Sequence, residues 1–260
     1  MKNHFIFSWA GNKRNEVEQI FELLNFDGID TIIEPYMGTS AISYFISTKY
    51  PKKFKYILND NDKHLVELYK IMTSKEKSNK LNETMNATVK KFNSMKTDEE
   101  RKKYYKEIFE TNDVNSYVFT HKWHTIRHGI CPLIERTKEL KPFDIREYSI
   151  FNFMNSEQVS VTSDDAVGVI EKYKDNEKCL IIIDPPYIQT YNGFYNDASL
   201  NVYEWLYHNN INKWKSTPIL ILENIWINKL LFQENTISEP YGKTYQGSKK
   251  KTEHIIITKK

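Results

Sequence analysis

The run Cys179-Leu180-Ile181-Ile182-Ile183-Asp184-Pro185-Pro186-Tyr187 limits what this chain can fold into more than any other stretch. Ile181 to Ile183 form an unbroken β-branched series, the pattern of a strand buried on both faces in a parallel sheet. Two prolines cannot continue a sheet ladder, so the strand has to stop at Asp184. In an open α/β sheet, ligands bind at the carboxyl ends of the strands. The run therefore delivers a carboxylate, a rigid turn and a flat ring to the rim of a site. Read alone, Asp-Pro-Pro-Tyr is also compatible with a plain strand-ending turn.

The trio suits an exocyclic amine on a nucleobase, whose lone pair is delocalised into the ring and is a poor nucleophile. Asp184 and the carbonyl of Pro185 can each accept one of its two N–H bonds, drawing the nitrogen toward tetrahedral geometry. Tyr187 can stack on the base, a contact worth roughly 1–3 kcal/mol.

The rest of the chain frames that run. At 260 residues it accommodates one large α/β domain with a smaller inserted lobe. Hydrophobic residues make up 40% and aromatic residues 14%, enough for a sizeable core. No apolar run approaches the roughly 20 residues of a spanning helix. Residues 1–10 lack the layout of a signal peptide. The two cysteines, Cys131 and Cys179, do not make a disulfide framework, so a reducing, cytoplasmic setting is expected. The net charge of +3 does not by itself indicate a nucleic-acid partner, so the distribution of charge matters more.

Upstream, the apolar Phe5-Ile6-Phe7 runs as a strand into the turn Ser8-Trp9-Ala10-Gly11-Asn12-Lys13, and a helix with Val17, Ile20, Phe21 and Leu24 on one face follows. Trp9 and Lys13 flank the Gly turn and can both project toward a ligand. Thr31-Ile32-Ile33-Glu34-Pro35-Tyr36-Met37-Gly38 reads as strand and turn, ahead of a helix from Ala41 that Pro51 stops. With one glycine this is neither the dinucleotide fingerprint nor a Walker loop. A second strand, Phe54 to Leu58, ends at Asn59-Asp60-Asn61, where an acid usually meets ribose hydroxyls. Asp60 could equally cap the next helix, although Asp62 can do that instead.

From Thr73 to about Arg146 the text is lysine-rich and helical, and Tyr117 to Gly129 interleaves aromatic, histidine and cationic residues. His121, His124 and His128 have helical spacing, but no carboxylate or thiol is organised with them, so no metal site is expected. Val159-Ser160-Val161-Thr162 forms a short strand leading to Asp164-Asp165 and a helix over 167–173. Beyond Tyr187, a polar aromatic loop holds Tyr191, a helix covers about 202–214, and Pro218 to Leu222 is another strand. A basic hairpin around Tyr241 to Lys251 then leads into the strand Thr252 to Thr258.

Together these pieces resemble the Dam-like (DpnII-type) DNA adenine N6-methyltransferases. Asp184-Pro185-Pro186-Tyr187 looks like the family's catalytic D-P-P-Y, and Trp9-Ala10-Gly11-Asn12-Lys13 like its W-x-G-x-K. Glu34-Pro35-Tyr36-Met37-Gly38 is similar to its E-P-F-x-G cofactor loop, and Asp60 and Asp165 match its acids after the second and third strands. The closing Lys250 to Ile257 resembles its last hairpin. The chain departs from the pattern at Asn12 and Ser40, where second glycines are usual, at Tyr36 for phenylalanine, and at Ala166 after Asp165. The usual recognition-loop motif is missing between Tyr117 and Pro142.

The resemblance implies a Rossmann-like S-adenosylmethionine-dependent methyltransferase fold with a mostly helical inserted recognition lobe. Residues 1–72 and 147–260 would form the catalytic domain, and 73–146 the lobe. Asp184, Pro185, Pro186 and Tyr187 would be catalytic. Trp9, Lys13, Glu34, Pro35, Tyr36, Gly38, Asp60, Asp165 and Asp184 would hold S-adenosylmethionine. Lys122, Trp123, Arg127, Tyr191, Lys249, Lys250 and Lys251 would contact double-stranded DNA, with the target adenine flipped from the stack. The alternatives are a cytosine-N4 amino methyltransferase, which the acid at 184 mildly disfavours, an RNA amino methyltransferase, and a non-catalytic nucleic-acid binder on the same scaffold.

Overall fold

The computed structural model describes residues 4–6, 13–123, 139–186, 199–223, 236–244 and 251–259. For 199–201, 222–223, 236–244 and 251–259 it describes backbone only. The apolar runs become parallel strands. Thr31–Glu34 (β1), Lys55–Asn59 (β2), Val159–Thr162 (β3), Cys179–Ile183 (β4) and Thr217–Glu223 (β5) lie in the order β3-β2-β1-β4-β5, each neighbour parallel. Lys251–Lys259 (β7) then runs antiparallel between β5 and Thr236–Thr244 (β6). β4 is the middle strand, and every one of its residues is buried. Burial pushes its Cys179 thiol up to about 11.

The strands after β1 step outward on one side, and the chain then returns to build β4 and β5 on the other. The reversal falls between β1 and β4, so their carboxyl-terminal loops diverge and open a crevice. Val17–Glu22 (α1), Ala41–Lys49 (α2), Ala166–Tyr173 (α8) and Ser199–His208 (α9) accompany this sheet. Val169 and Ile170 of α8, with Val202 and Leu206 of α9, pack with Ile33, Ile181, Ile183 and Leu220 of the strands.

A second compact unit is helical. Lys63–Met72 (α3), Lys75–Ser94 (α4), Asp98–Thr111 (α5), Val114–Trp123 (α6) and Ser149–Met154 (α7) belong to it. The units divide at 12/13, 61/62 and 157/158, with residues 1–12 in the helical unit, where the sequence reading placed its functional boundaries at 72/73 and 146/147. The reason is that α3 buries Leu65, Leu68, Tyr69 and Met72 and packs against α4, α6 and α7. Asp62 caps α3, its Oδ1 accepting from the backbone of His64 and Leu65, while its Oδ2 accepts from the Tyr117 hydroxyl at 3.0 Å. Thr97 and Glu100 form a reciprocal capping box on α5.

Three asparagines of α4 hold the extended segment that precedes α7. Asn86 donates to the Phe143 carbonyl and accepts from its N–H, both at 2.8 Å, and Asn93 does the same with Leu140. Asn82 accepts from the Ile145 N–H and donates to Asp144.

One expectation fails: residues 4–6 are bends, not a strand, and the His4 carbonyl accepts from Ile150 N in the same unit. Tyr241 to Thr244 lie within β6 and pair antiparallel with β7, as the expected hairpin requires.

Candidate active site

Glu34 closes β1, Asn59 closes β2, Thr162 closes β3 and Asp184 directly follows β4, so parallel register gathers all four at one edge of the sheet. The prolines end β4 as their chemistry requires. Asp184 is partly buried, and its Oδ2 lies 2.5 Å from Lys13 Nζ, itself only 4% exposed. Lys13, expected as a cofactor residue, is thus placed on the carboxylate of the D-P-P-Y turn.

Glu34 lies close enough to feel both charges. It is buried, its Oε1 accepts from Ser43 N at 3.2 Å in the first turn of α2, and its Oε2 has no partner. Burial, reinforced by the negative charge of Asp184, pushes its carboxyl up to about 8 against the pull of the Ser43 bond and Lys13. At neutral pH Glu34 is therefore a neutral acid beside the Lys13–Asp184 pair.

The β1–α2 loop is unusual in its backbone. Gly38 has φ 45° and Ser40 φ 52°, so a serine occupies a left-handed conformation that costs an L residue ~1–2 kcal/mol. This is the position of the family's second glycine, and the backbone there shows why glycine suits it. Ser40 stands at the cap position of α2, but its side chain makes no cap bond and its buried Oγ is unpartnered.

The loop is pinned from below. Gly38 N donates to Asp60 Oδ2 at 2.9 Å, and Met37 N donates to the Asn59 carbonyl at 2.8 Å. Because Asp62 caps α3, Asp60 is left to serve this loop. Tyr36 is pushed above its ordinary value by burial and by the charges of Asp165 and Asp60, which keeps its phenol neutral. Asp165 caps α8 through Gly168 N at 2.8 Å.

The described residues thus bring together Lys13, Glu34, Pro35, Tyr36, Gly38, Asp60, Asp165, Asp184, Pro185 and Pro186. Trp9, Arg127, Tyr187, Tyr191, Lys249 and Lys250 lie outside the described residues, as do His124 and His128. Lys251 opens β7 and is described as backbone. In the helical unit, Lys122 Nζ lies 4.7 Å from the Tyr148 ring centroid, and burial draws its ammonium below the usual lysine value. Trp123 is only 8% exposed and packs on Phe119 and Phe143, so its ring serves the core of that unit. Asn59 was passed over by sequence reasoning, although a polar residue ending a run of strand apolars was a usable signal.

A parallel sheet that reverses between β1 and β4, beside an acid-Pro-Pro turn, defines a Rossmann-like fold. Residues 9–127 match the family model of D12 class N6 adenine-specific DNA methyltransferases, which supports the resemblance to the Dam-like enzymes and, with it, dependence on S-adenosylmethionine. The match contains Lys13, Glu34 to Gly38 and Asp60, and ends before Asp165 and Asp184.

No curated protein matches the chain significantly. Among solved structures, it is similar to a human methyltransferase 10 domain containing protein, with 10% identity and a TM-score of 0.41 over 97% of this chain and 82% of that one. It is also similar to an rRNA methylase from Streptococcus thermophilus, with 7% identity and a TM-score of 0.41 over 97% and 99% of the two chains. The rRNA methyltransferase aviRa from Streptomyces viridochromogenes shares 11% identity, with a TM-score of 0.40 over 98% and 88%. At such scores these likenesses say nothing about substrate.

Proposed function

We propose that this methyltransferase acts on the exocyclic N6 amine of adenine in double-stranded DNA. The Lys13–Asp184 pair carries the reading, because it joins the segment matched by the family model to the D-P-P-Y turn beyond it. The donor site fits a cationic, polar ligand. Buried Glu34 Oε2 and Ser40 Oγ lack partners on the β1–α2 loop, and the carboxylates of Asp60 and Asp165 flank Tyr36. When bound, S-adenosylmethionine supplies the activated methyl group on its sulfonium.

In this proposal Trp9, Pro35, Tyr36, Gly38, Asp60 and Asp165 hold the donor. Asp184 and the Pro185 carbonyl accept the two amine hydrogens, and Tyr187 stacks on the extruded base. Lys13 holds Asp184 Oδ2 in place, so the carboxylate meets the amine in one orientation. A neutral Glu34 keeps a second negative charge away from Asp184. Asp184 need not be a strong base, since the methylated amine gives up its proton readily. Residues 73–146 form the recognition lobe, and Lys122, Arg127, Tyr191 and Lys249 to Lys251 contact the DNA, with Trp123 supporting the lobe from within. Among the described residues, no helix is long and apolar enough to cross a membrane.

The test is incubation with labelled S-adenosylmethionine and mixed-sequence duplex DNA, followed by nucleoside mass spectrometry. N6-methyladenine above an Asp184→Ala control is expected. Label on cytosine N4 alone, transfer to RNA alone, or none above the control rejects the reading.

A further inference from the structure

Asn59 is fully buried, and its side chain makes every hydrogen bond a primary amide can make. Its Nδ2 donates to the Pro35 carbonyl at 3.0 Å and to the Asp164 carbonyl at 3.1 Å. Its Oδ1 accepts from Thr162 Oγ1 at 2.7 Å and from Asp164 N at 2.8 Å. The orientation of the amide is fixed by these partners: a backbone N–H can only donate and a carbonyl can only accept.

No other side chain reproduces the set. Aspartate at this position would turn a lone pair toward two carbonyl oxygens, and a leucine of similar shape would leave all four partner groups without this bond. What Asn59 joins is as telling as how. Pro35 lies in the β1–α2 loop, and Asp164 directly precedes Asp165 in the β3–α8 loop. The backbone adds to the same clamp, since Met37 N donates to the Asn59 carbonyl and Asp60 N to the Thr162 carbonyl. One amide therefore sets the spacing between two loops that are remote in sequence.

We infer that Asn59 is a positioning residue that sets affinity for the methyl donor by holding the β1–α2 and β3–α8 loops at a fixed separation. This rests on the reading above, in which Tyr36, Gly38 and Asp60 on one side of Asn59 and Asp165 on the other hold the donor. Because Asn59 acts on loop spacing and is sealed from solvent, its loss is felt first in binding and less in the transfer step.

The experiment is calorimetric titration of S-adenosylhomocysteine into the wild type, Asn59→Asp, Thr162→Val and Asp60→Ala, with a melting curve for each ligand-free protein and kcat measured at saturating donor. Thr162→Val removes one of the four bonds, so about a 2- to 10-fold loss of affinity is expected, and Asn59→Asp loses more. In both, the loss of affinity exceeds the loss in kcat. A core truncation away from both loops, Ile20→Val, binds as the wild type does, which separates loop spacing from general destabilisation.

If Asn59→Asp fails to fold, Thr162→Val decides: unchanged affinity in a cooperatively melting Thr162→Val overturns the inference. Wild-type affinity in Asn59→Asp, or a fall in kcat alone, also overturns it. Should Asp60→Ala weaken binding while both Asn59→Asp and Thr162→Val bind normally, only the role of Asn59 falls. No binding by the wild type, or none lost in Asp60→Ala, removes the donor-site reading and this inference with it.

Discussion

The helical unit and the strand-end loops treat the same kinds of group in opposite ways. On α4, Asn82, Asn86 and Asn93 each give one donor and one acceptor bond to an extended neighbour. At the end of α5, Asn112 turns left-handed with φ 48°, a conformation that helix ends adopt routinely and asparagine tolerates. Beside β1, a serine takes the left-handed turn, and buried oxygens of Glu34 and Ser40 stand without partners. Strain and unpaired buried groups concentrate where a protein reserves contacts for a ligand. Those amides of the helical unit serve its own chain, whereas the two oxygens beside β1 serve no group of the described fold.

The largest test removes the acid. Asp184→Ala should cut methyl transfer by ~10²-fold or more while S-adenosylhomocysteine binding persists, as expected for a group acting on the amine. A variant that keeps wild-type kcat would break the contrast at its centre. Lys13→Met comes next: stripping the partner from a partly buried carboxylate should destabilise the sheet unit by ~1.5–3 kcal/mol and lower kcat together. Unfolding curves and initial rates measure both, and a change in neither would make the pair incidental.

Glu34→Gln sharpens the comparison through pH. Its folded value of about 8 lies above the ordinary 4.5, so the native state binds that proton more tightly than the unfolded chain. The contribution is fully present below about 4.5 and is lost as pH rises through about 8, so wild-type stability erodes across that window. The Tm advantage of Glu34→Gln should therefore be larger at pH 8.5 than at pH 5. A difference independent of pH would mean the acid is not held neutral.

On the other side, Asn86→Ala should cost the helical unit ~1–3 kcal/mol, because it strands both polar groups of Phe143. Urea unfolding measures this, and donor affinity should stay as it was. The smallest effect has the opposite sign: Ser40→Gly should stabilise by ~1 kcal/mol, since glycine adopts the left-handed turn freely. A destabilised Ser40→Gly would show that the Oγ is needed in the ligand-free fold.

Much of this was legible in the chain. The triple isoleucine and the paired prolines dictated a central strand ending at Asp184, and the spacing of Val17, Ile20, Phe21 and Leu24 marked α1. The Gly-bearing turn after β1 was visible, but its strain at Ser40 was not, because φ follows from how the turn closes onto Asp60 and Asn59. The Lys13–Asp184 pair was invisible as well, since it joins residues far apart in sequence. Trp123 misled because aromatic residues next to cations look alike whether they face solvent or pack against Phe119 and Phe143. β6 was hidden by its proline and glycine, which a two-sided strand tolerates only near an edge.

The neighbouring positions of β2 and β3 have an evolutionary consequence. Tyr56 pairs with Val159, so the chain leaves one strand and re-enters the adjacent one after the whole helical unit has been made. A parallel crossover requires only a dozen or so residues. Lengthening that excursion roughly eightfold is about three doublings, an added closure entropy of only ~2 kcal/mol. A scaffold of this kind can exchange one inserted unit for another at little cost in closure entropy, while the strand ends that carry Glu34 and Asp184 stay as they are.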